Sequence, residues 1–206
     1  MVAMDPSTAP DSPTNPPTVG EPERSELVRI VTAGGLTQFD EPVRLASGAM
    51  SREFIDAKRA LAQGRDLAVA CRAIVALAAS RNIDFDAVGG MTMGADMFSH
   101  GVALLADCGW FVVRKQPKDR GTRQQVEGTV LGPGHRVLMV EDTITTGGST
   151  LDALAVVRAT GAEVVLVTAL VDRGDTATVA FAAAGVPYAP LLTYRDVGID
   201  PVVPPG

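Results

Sequence analysis

The chain has 206 residues, 46% of them hydrophobic, enough for one domain with a sizeable core. Eighteen Lys and Arg against 24 Asp and Glu leave a formal charge of −6, which argues against a nucleic-acid surface and leaves any anionic ligand to a local basic cluster. There is no apolar run of the roughly eighteen residues that a membrane span needs, and no secretion signal at the N-terminus, so the expectation is a cytoplasmic protein in which Cys71 and Cys108 are reduced core residues.

The chain opens with MVAMDPSTAPDSPTNPPTVGEPE, rich in Pro, Ser and Thr and poor in apolar residues. Such a stretch cannot bury enough surface to offset its ordering entropy, so residues 1–22 are expected to be disordered and 23–206 to form one domain. PERSELVRIVTAGG reads as a short helix closed by Gly34 and Gly35. FDEPVRLASGAMSREFIDAKRAL reads as two extended pieces around a Ser47–Gly48 turn. RDLAVACRAIVALAASRN sets Leu67, Ala70, Cys71, Ile74, Leu77 and Ala78 on one helical face.

Strand and helix then alternate. DAVGG is a strand and GADMFSHGVALLADCG a helix; WFVVRK is a strand and QPKDRGTRQQVEG a polar loop. RVLMVE is a strand, STLDALAVVRATG a helix ended by Gly161, EVVLVTALVD a strand, TATVAFAAAG a helix and PYAPLL a last strand. This order predicts an α/β fold with a central, mainly parallel sheet flanked by helices. Ligands of such sheets bind beyond the carboxyl ends of the strands, where the polar residues of this chain collect.

The most informative stretch is VLMVEDTITTGGST, Val137 to Thr150. An apolar strand ends in two adjacent acids, Glu141 and Asp142, and a hydroxyl- and glycine-rich turn leads into the next helix. Exposed peptide N–H groups, Thr and Ser hydroxyls and the positive helix end make an anion cradle, and the glycines admit a close ligand. Acids beside a phosphate cradle make sense for a phosphorylated sugar: the carboxylates accept hydrogen bonds from ribose hydroxyls and help place a hydrated Mg²⁺. Other phosphate and nucleophile motifs are missing, since there is no GxxxxGK[ST], no GxGxxG after a strand and no GxSxG. His100, in an Ala/Leu-rich helix, and His135, in a Gly-Pro-Gly turn, read as structural or exposed.

The string from Val137 to Thr150 resembles the 5-phosphoribosyl-1-pyrophosphate (PRPP) motif of type I phosphoribosyltransferases. FVVRKQPKDRGTRQQVEG resembles the catalytic loop of the orotate phosphoribosyltransferases in their actinobacterial form, and the likeness extends from about Glu23 to Val197. It implies a type I phosphoribosyltransferase fold with a small N-terminal hood at about residues 23–64. It implies PRPP binding by Arg114, Lys115, Lys118, Glu141, Asp142, Thr143, Thr145, Thr146, Gly147, Gly148 and Ser149. Thr145, Arg173 and Phe54 would meet orotate, the arginine through the carboxylate. Lys118, Arg120 and Asp142 would be catalytic. Mg²⁺ would be carried mainly by PRPP rather than by protein ligands. A homodimer is implied, with the loop 114–123 shared across the interface.

Several positions depart from the family pattern. Arg120 stands where His is usual, and arginine is a poor proton donor. Met93, in VGGMTMGAD, stands where many members carry a Lys; Ala46 replaces a common Lys and Glu53 a common aromatic. Lys58 and Arg59, late in the hood segment, could serve an anionic base. The expected activity is transfer of the phosphoribosyl group of PRPP to orotate. A transferase for another nucleobase and a non-catalytic PRPP-binding regulator are the alternatives. Neither nucleic acid nor membrane is an expected partner.

Overall fold

The computed structural model describes residues 20–45, 48–116 and 125–203. The expected tail (to residue 19), Ala46, Ser47, Lys118 and Arg120 lie outside them. Helix α1 (Glu21–Ile30) has proline in its first turn and runs into a π-helical turn over Val31–Gly35. It starts just before the expected end of the tail, Pro22. Strands β1 (Leu36–Arg44) and β2 (Met50–Ile55) form the antiparallel hairpin expected for the hood.

A short helix α2 (Ala57–Ala60), unforeseen in the sequence, follows directly; the Asp56 carboxylate caps it by accepting from Arg59 N–H at 3.1 Å. Helix α3 (Gly64–Ser80) buries Ala70, Cys71, Ile74, Leu77 and Ala78, the face its periodicity predicts. Then come β3 (Ala87–Met91), α4 (Asp96–Ala106), β4 (Gly109–Val113) and β5 (Val126–Gly128). The last of these corrects the expectation of a polar loop through Gly128, because Val126–Gly128 pairs antiparallel with Phe111–Val113. The chain continues through β6 (Arg136–Ile144), α5 (Gly148–Ala159), β7 (Glu163–Asp172) and α6 (Ala177–Ala183). It ends with β8 (Leu192–Thr193) and α7 (Tyr194–Val197). The expected strand PYAPLL contributes only an isolated bridge at Tyr188 and the start of β8. Two prolines, Pro187 and Pro190, interrupt its ladder by removing N–H donors.

The main sheet has the order β5-β4-β3-β6-β7-β8, parallel except for β5. Successive side chains of β6 go to opposite faces. Leu138 and Val140 join one core with Leu27, Ile74 and Phe98; Val137 and Met139 join the other with Phe111, Leu154 and Phe181. Burial on both faces is what a central parallel strand requires, and it leaves only the strand ends to carry chemistry. Cys71 and Cys108 are free thiols, as expected. His100 packs against Trp110 with the rings tilted by 58° and their centroids 4.6 Å apart, and His135 Nδ1 lies 3.2 Å from the Gly132 carbonyl.

Candidate active site

Strand β6 does not stop at the acids. It stays paired with β7 through Thr143↔Val171 and Ile144↔Asp172, so Glu141 and Asp142 are held on a rigid strand rather than a loop. Glu141 is only 7% exposed. Burial, then the neighbouring Asp142 carboxylate, push its pKa up to about 8. Both influences favour the neutral form of Glu141. Glu141 Oε1 accepts from the Asp142 N–H at 3.0 Å, and Asp142 Oδ1 from the Thr143 N–H at 2.7 Å. The second Asp142 oxygen accepts from Lys58 Nζ at 3.1 Å.

The turn that follows is shaped by Gly147, whose φ of +82° suits glycine and starts α5 at the next residue. Thr146 Oγ1 accepts weakly from the Gly148 N–H at 3.4 Å. The first peptide N–H groups of α5 have no partner inside the helix, so with the positive helix end they face whatever fills the turn. Gly94, between β3 and α4, closes in from the other side: a Cβ there would collide with Glu141 Oε1 and come within 2.8 Å of Asp142 Oδ1.

A cleft of about 480 Å³ opens beside this turn. Phe54, Lys115, Thr143, Thr145, Thr146, Gly147, Gly148, Ser149 and Arg173 all line it. The tertiary structure thus gathers Phe54 of the hood, Lys115, the glycine- and hydroxyl-rich turn and Arg173, just after β7, in one place. Phe54 keeps 44% exposure. Arg173 is 4% exposed, and its Nη2 donates to Glu53 O at 2.8 Å and Ser51 Oγ at 3.3 Å. Its Nε makes no hydrogen bond. Burial lowers its pKa, opposed by the Glu53 carboxylate.

Some expected residues stand elsewhere. Arg114 pairs with Glu127 of β5 at 3.1 Å and is not among the cleft residues, while its neighbour Lys115 is. Arg59 is a structural tie, donating to Gly34 O at 2.7 Å and to Thr37 Oγ1 at 3.0 Å. Met93 points outward at 69% exposure. The contact of Lys58 with Asp142 had no signal in the sequence, since it joins residues far apart in the chain; Asp152, in the first turns of α5, also lines the cleft and was not foreseen. Among the described residues, no group of three or more His, Cys, Asp and Glu could hold a metal ion by itself.

The phosphoribosyl transferase domain family matches residues 59–180. The orotate phosphoribosyltransferase of Corynebacterium glutamicum (strain R) is 40% identical over 181 residues, spanning 86% of this chain and 95% of that protein. The orotate phosphoribosyltransferase of Aquifex aeolicus (strain VF5) is 37% identical over 181 residues, spanning 85% and 97%. The structure is similar to that of Mycobacterium tuberculosis H37Rv orotate phosphoribosyltransferase in complex with PRPP, with a TM-score of 0.70 and 35% identity over 86% of this chain and 100% of that one.

Proposed function

The chain belongs to the phosphoribosyl transferase domain family, with orotate phosphoribosyltransferases as its near full-length relatives, and we propose a division of labour within its cleft. The reaction is transfer of the phosphoribosyl group of PRPP to orotate, giving orotidine 5-monophosphate and pyrophosphate. The enzyme is a pentosyltransferase. The observation that carries the reading is the meeting, toward one end of the β6–β7 pair, of an acid pair with Glu141 buried, a glycine- and hydroxyl-rich turn leading into α5, and a buried arginine.

In this reading Thr145 to Ser149 hold the 5-phosphate on the N-terminus of α5. Glu141 and Asp142 take the ribose hydroxyls, and Lys115 meets the pyrophosphate. Arg173 takes the orotate carboxylate, with Phe54 against the ring. The C1–O bond to pyrophosphate breaks and the C1–N bond to orotate forms as the ring N–H of orotate gives up its proton to the departing pyrophosphate or solvent, while positive charge builds on the ribose ring. The ionised Asp142 carboxylate stabilises that charge, and the basic loop stabilises the departing anion. No protein nucleophile is required.

Mg²⁺ belongs to the proposal as a companion of PRPP. The described residues offer an acid pair rather than a full ligand cage, which suits a hydrated ion held partly by the substrate. Glu141 and Asp142 would hold its hydration shell; the ion itself supplies charge neutralisation on the leaving pyrophosphate. The remaining proposals are a homodimer sharing the loop 114–123, with Lys118 and Arg120 acting there, and a cytoplasmic location. No helix among the described residues is long and apolar enough to cross a membrane.

The test is an absorbance assay with purified protein, PRPP and Mg²⁺, with orotate, adenine, hypoxanthine, guanine and uracil offered separately. Orotate consumption that depends on both PRPP and Mg²⁺ is the expected result. Turnover of another base only would move the substrate. PRPP binding without any turnover would favour a regulator.

A further inference from the structure

The hood hairpin contains a small, fully used hydrogen-bond relay. Ser51 Oγ accepts from Arg173 Nη2 at 3.3 Å and from the Glu53 N–H at 3.1 Å. It donates its proton to Glu53 Oε2, also at 3.1 Å. Both lone pairs and the single proton of the hydroxyl are therefore committed. Ser51 is buried along with Arg173, and Glu53 is half-buried, so the relay lies largely out of solvent. Arg173 Nη2 also donates to Glu53 O at 2.8 Å, so one residue engages the arginine through its backbone and, by way of Ser51, through its carboxylate. Arg173 Nε is buried without a hydrogen-bond partner.

Taking orotate as the substrate, as the functional reading does, we infer that Glu53 is a specificity-determining residue that restrains binding of the anionic base by pre-neutralising Arg173 through Ser51. A carboxylate prefers to fork onto two guanidinium N–H groups. Here Nη2 is already turned to the hood, so an incoming carboxylate must share that nitrogen or displace the Glu53 and Ser51 contacts. It also enters the field of the Glu53 carboxylate, a like charge. A neutral pyrimidine meets neither obstacle. The hood thus carries an internal anion whose charge the substrate's own carboxylate must outcompete.

The experiment compares wild type with Glu53→Gln, Ser51→Ala and the double variant, measuring kcat and KM for orotate and KM for PRPP. Uracil, which lacks the carboxylate, serves as a competitive probe. Glu53→Gln keeps the hydrogen-bond acceptor for Ser51 and removes only the charge. Its orotate KM is expected to fall by about threefold or more, the size of a screened charge effect at this range. kcat and the PRPP KM should stay within about twofold, and so should the uracil inhibition constant. The double variant should gain no more than the larger single effect, as partners in one relay do. An orotate KM that is unchanged or raised in a folded Glu53→Gln protein overturns the inference while leaving the activity standing. Equal shifts for orotate and uracil overturn it too, since they report hood packing rather than charge. Wild type that ignores orotate overturns the functional reading and the inference together.

Discussion

Lys58 Nζ lies 3.1 Å from Asp142 Oδ2, joining helix α2 of the hood to β6 across 84 residues of sequence. Burial of the lysine works against its charge and is the largest single influence, but the hydrogen bond and charge of Asp142, with Asp56 and Glu141 nearby, together outweigh it and its pKa is raised. The same ammonium holds down the pKa of Glu141. Lys58 therefore moderates the effect of burial and of Asp142 on Glu141.

Lys58→Met should raise the PRPP KM by about two- to fivefold, because an anionic ligand would face a less neutralised acid pair. The lysine side chain is about half exposed, so unfolding free energy should change by about 1 kcal/mol or less. Steady-state kinetics with a urea titration checks both. An unchanged PRPP KM would show that the ion pair plays no part in binding.

Glu141→Gln should alter the pH dependence of stability. The folded pKa of Glu141, about 8, lies above its ordinary value of 4.5, so the folded state holds the proton more tightly than the unfolded chain. Wild type therefore loses stability relative to the Gln variant as pH rises from about 4.5 to 8, by on the order of 2–4 kcal/mol. Denaturant unfolding at pH 5 and pH 8.5 measures the difference. A gap that does not change with pH would mean that Glu141 ionises normally. PRPP affinity of the same variant should fall, since a charged acceptor is lost once ligand binding recruits the carboxylate.

Gly94→Ala should place a methyl group against both acids. The loop after β3 has to move, at a cost of about 1–3 kcal/mol, and the PRPP KM should rise about tenfold or more. Calorimetric titration with PRPP reads this directly; wild-type affinity would show that the acids yield freely.

Gly147→Ala should suffer twice, from a φ of +82° and from a Cβ placed 3.1 Å from the Phe181 ring. A loss of about 1–2 kcal/mol in stability is expected, with weaker binding of inorganic phosphate or ribose 5-phosphate. A melting curve and a phosphate competition assay separate the fold effect from the ligand effect.

Asp142→Asn and Lys118→Ala should each lose most turnover. Mixed under conditions that exchange subunits, they should recover part of it if the loop 114–123 reaches the neighbouring site. In a statistical mixture, half of the dimers are heterodimers with one intact site of two. No recovery in verified heterodimers would place Lys118 in its own subunit's cleft.

The alternation of apolar strands and amphipathic helices was enough to determine the layered sheet, because continuous apolar runs such as Val137 to Val140 are stable only when covered on both faces. The string Glu141 to Ser149 was legible for a related reason: its residues are contiguous, and one strand–turn–helix unit turns sequence spacing directly into geometry. Strand β5 was not legible, since three residues of mixed character become a strand only when the edge of β4 offers partners. Likewise Arg114 and Lys115 are neighbours in sequence, yet the strand edge gives one to Glu127 and the other to the cleft. The charge state of Glu141, the clasp of Arg173 on the hood and the reach of Lys58 to Asp142 were decided by the tertiary structure alone. Each depends on burial or on contact between distant segments, and neither quantity is written in local pattern.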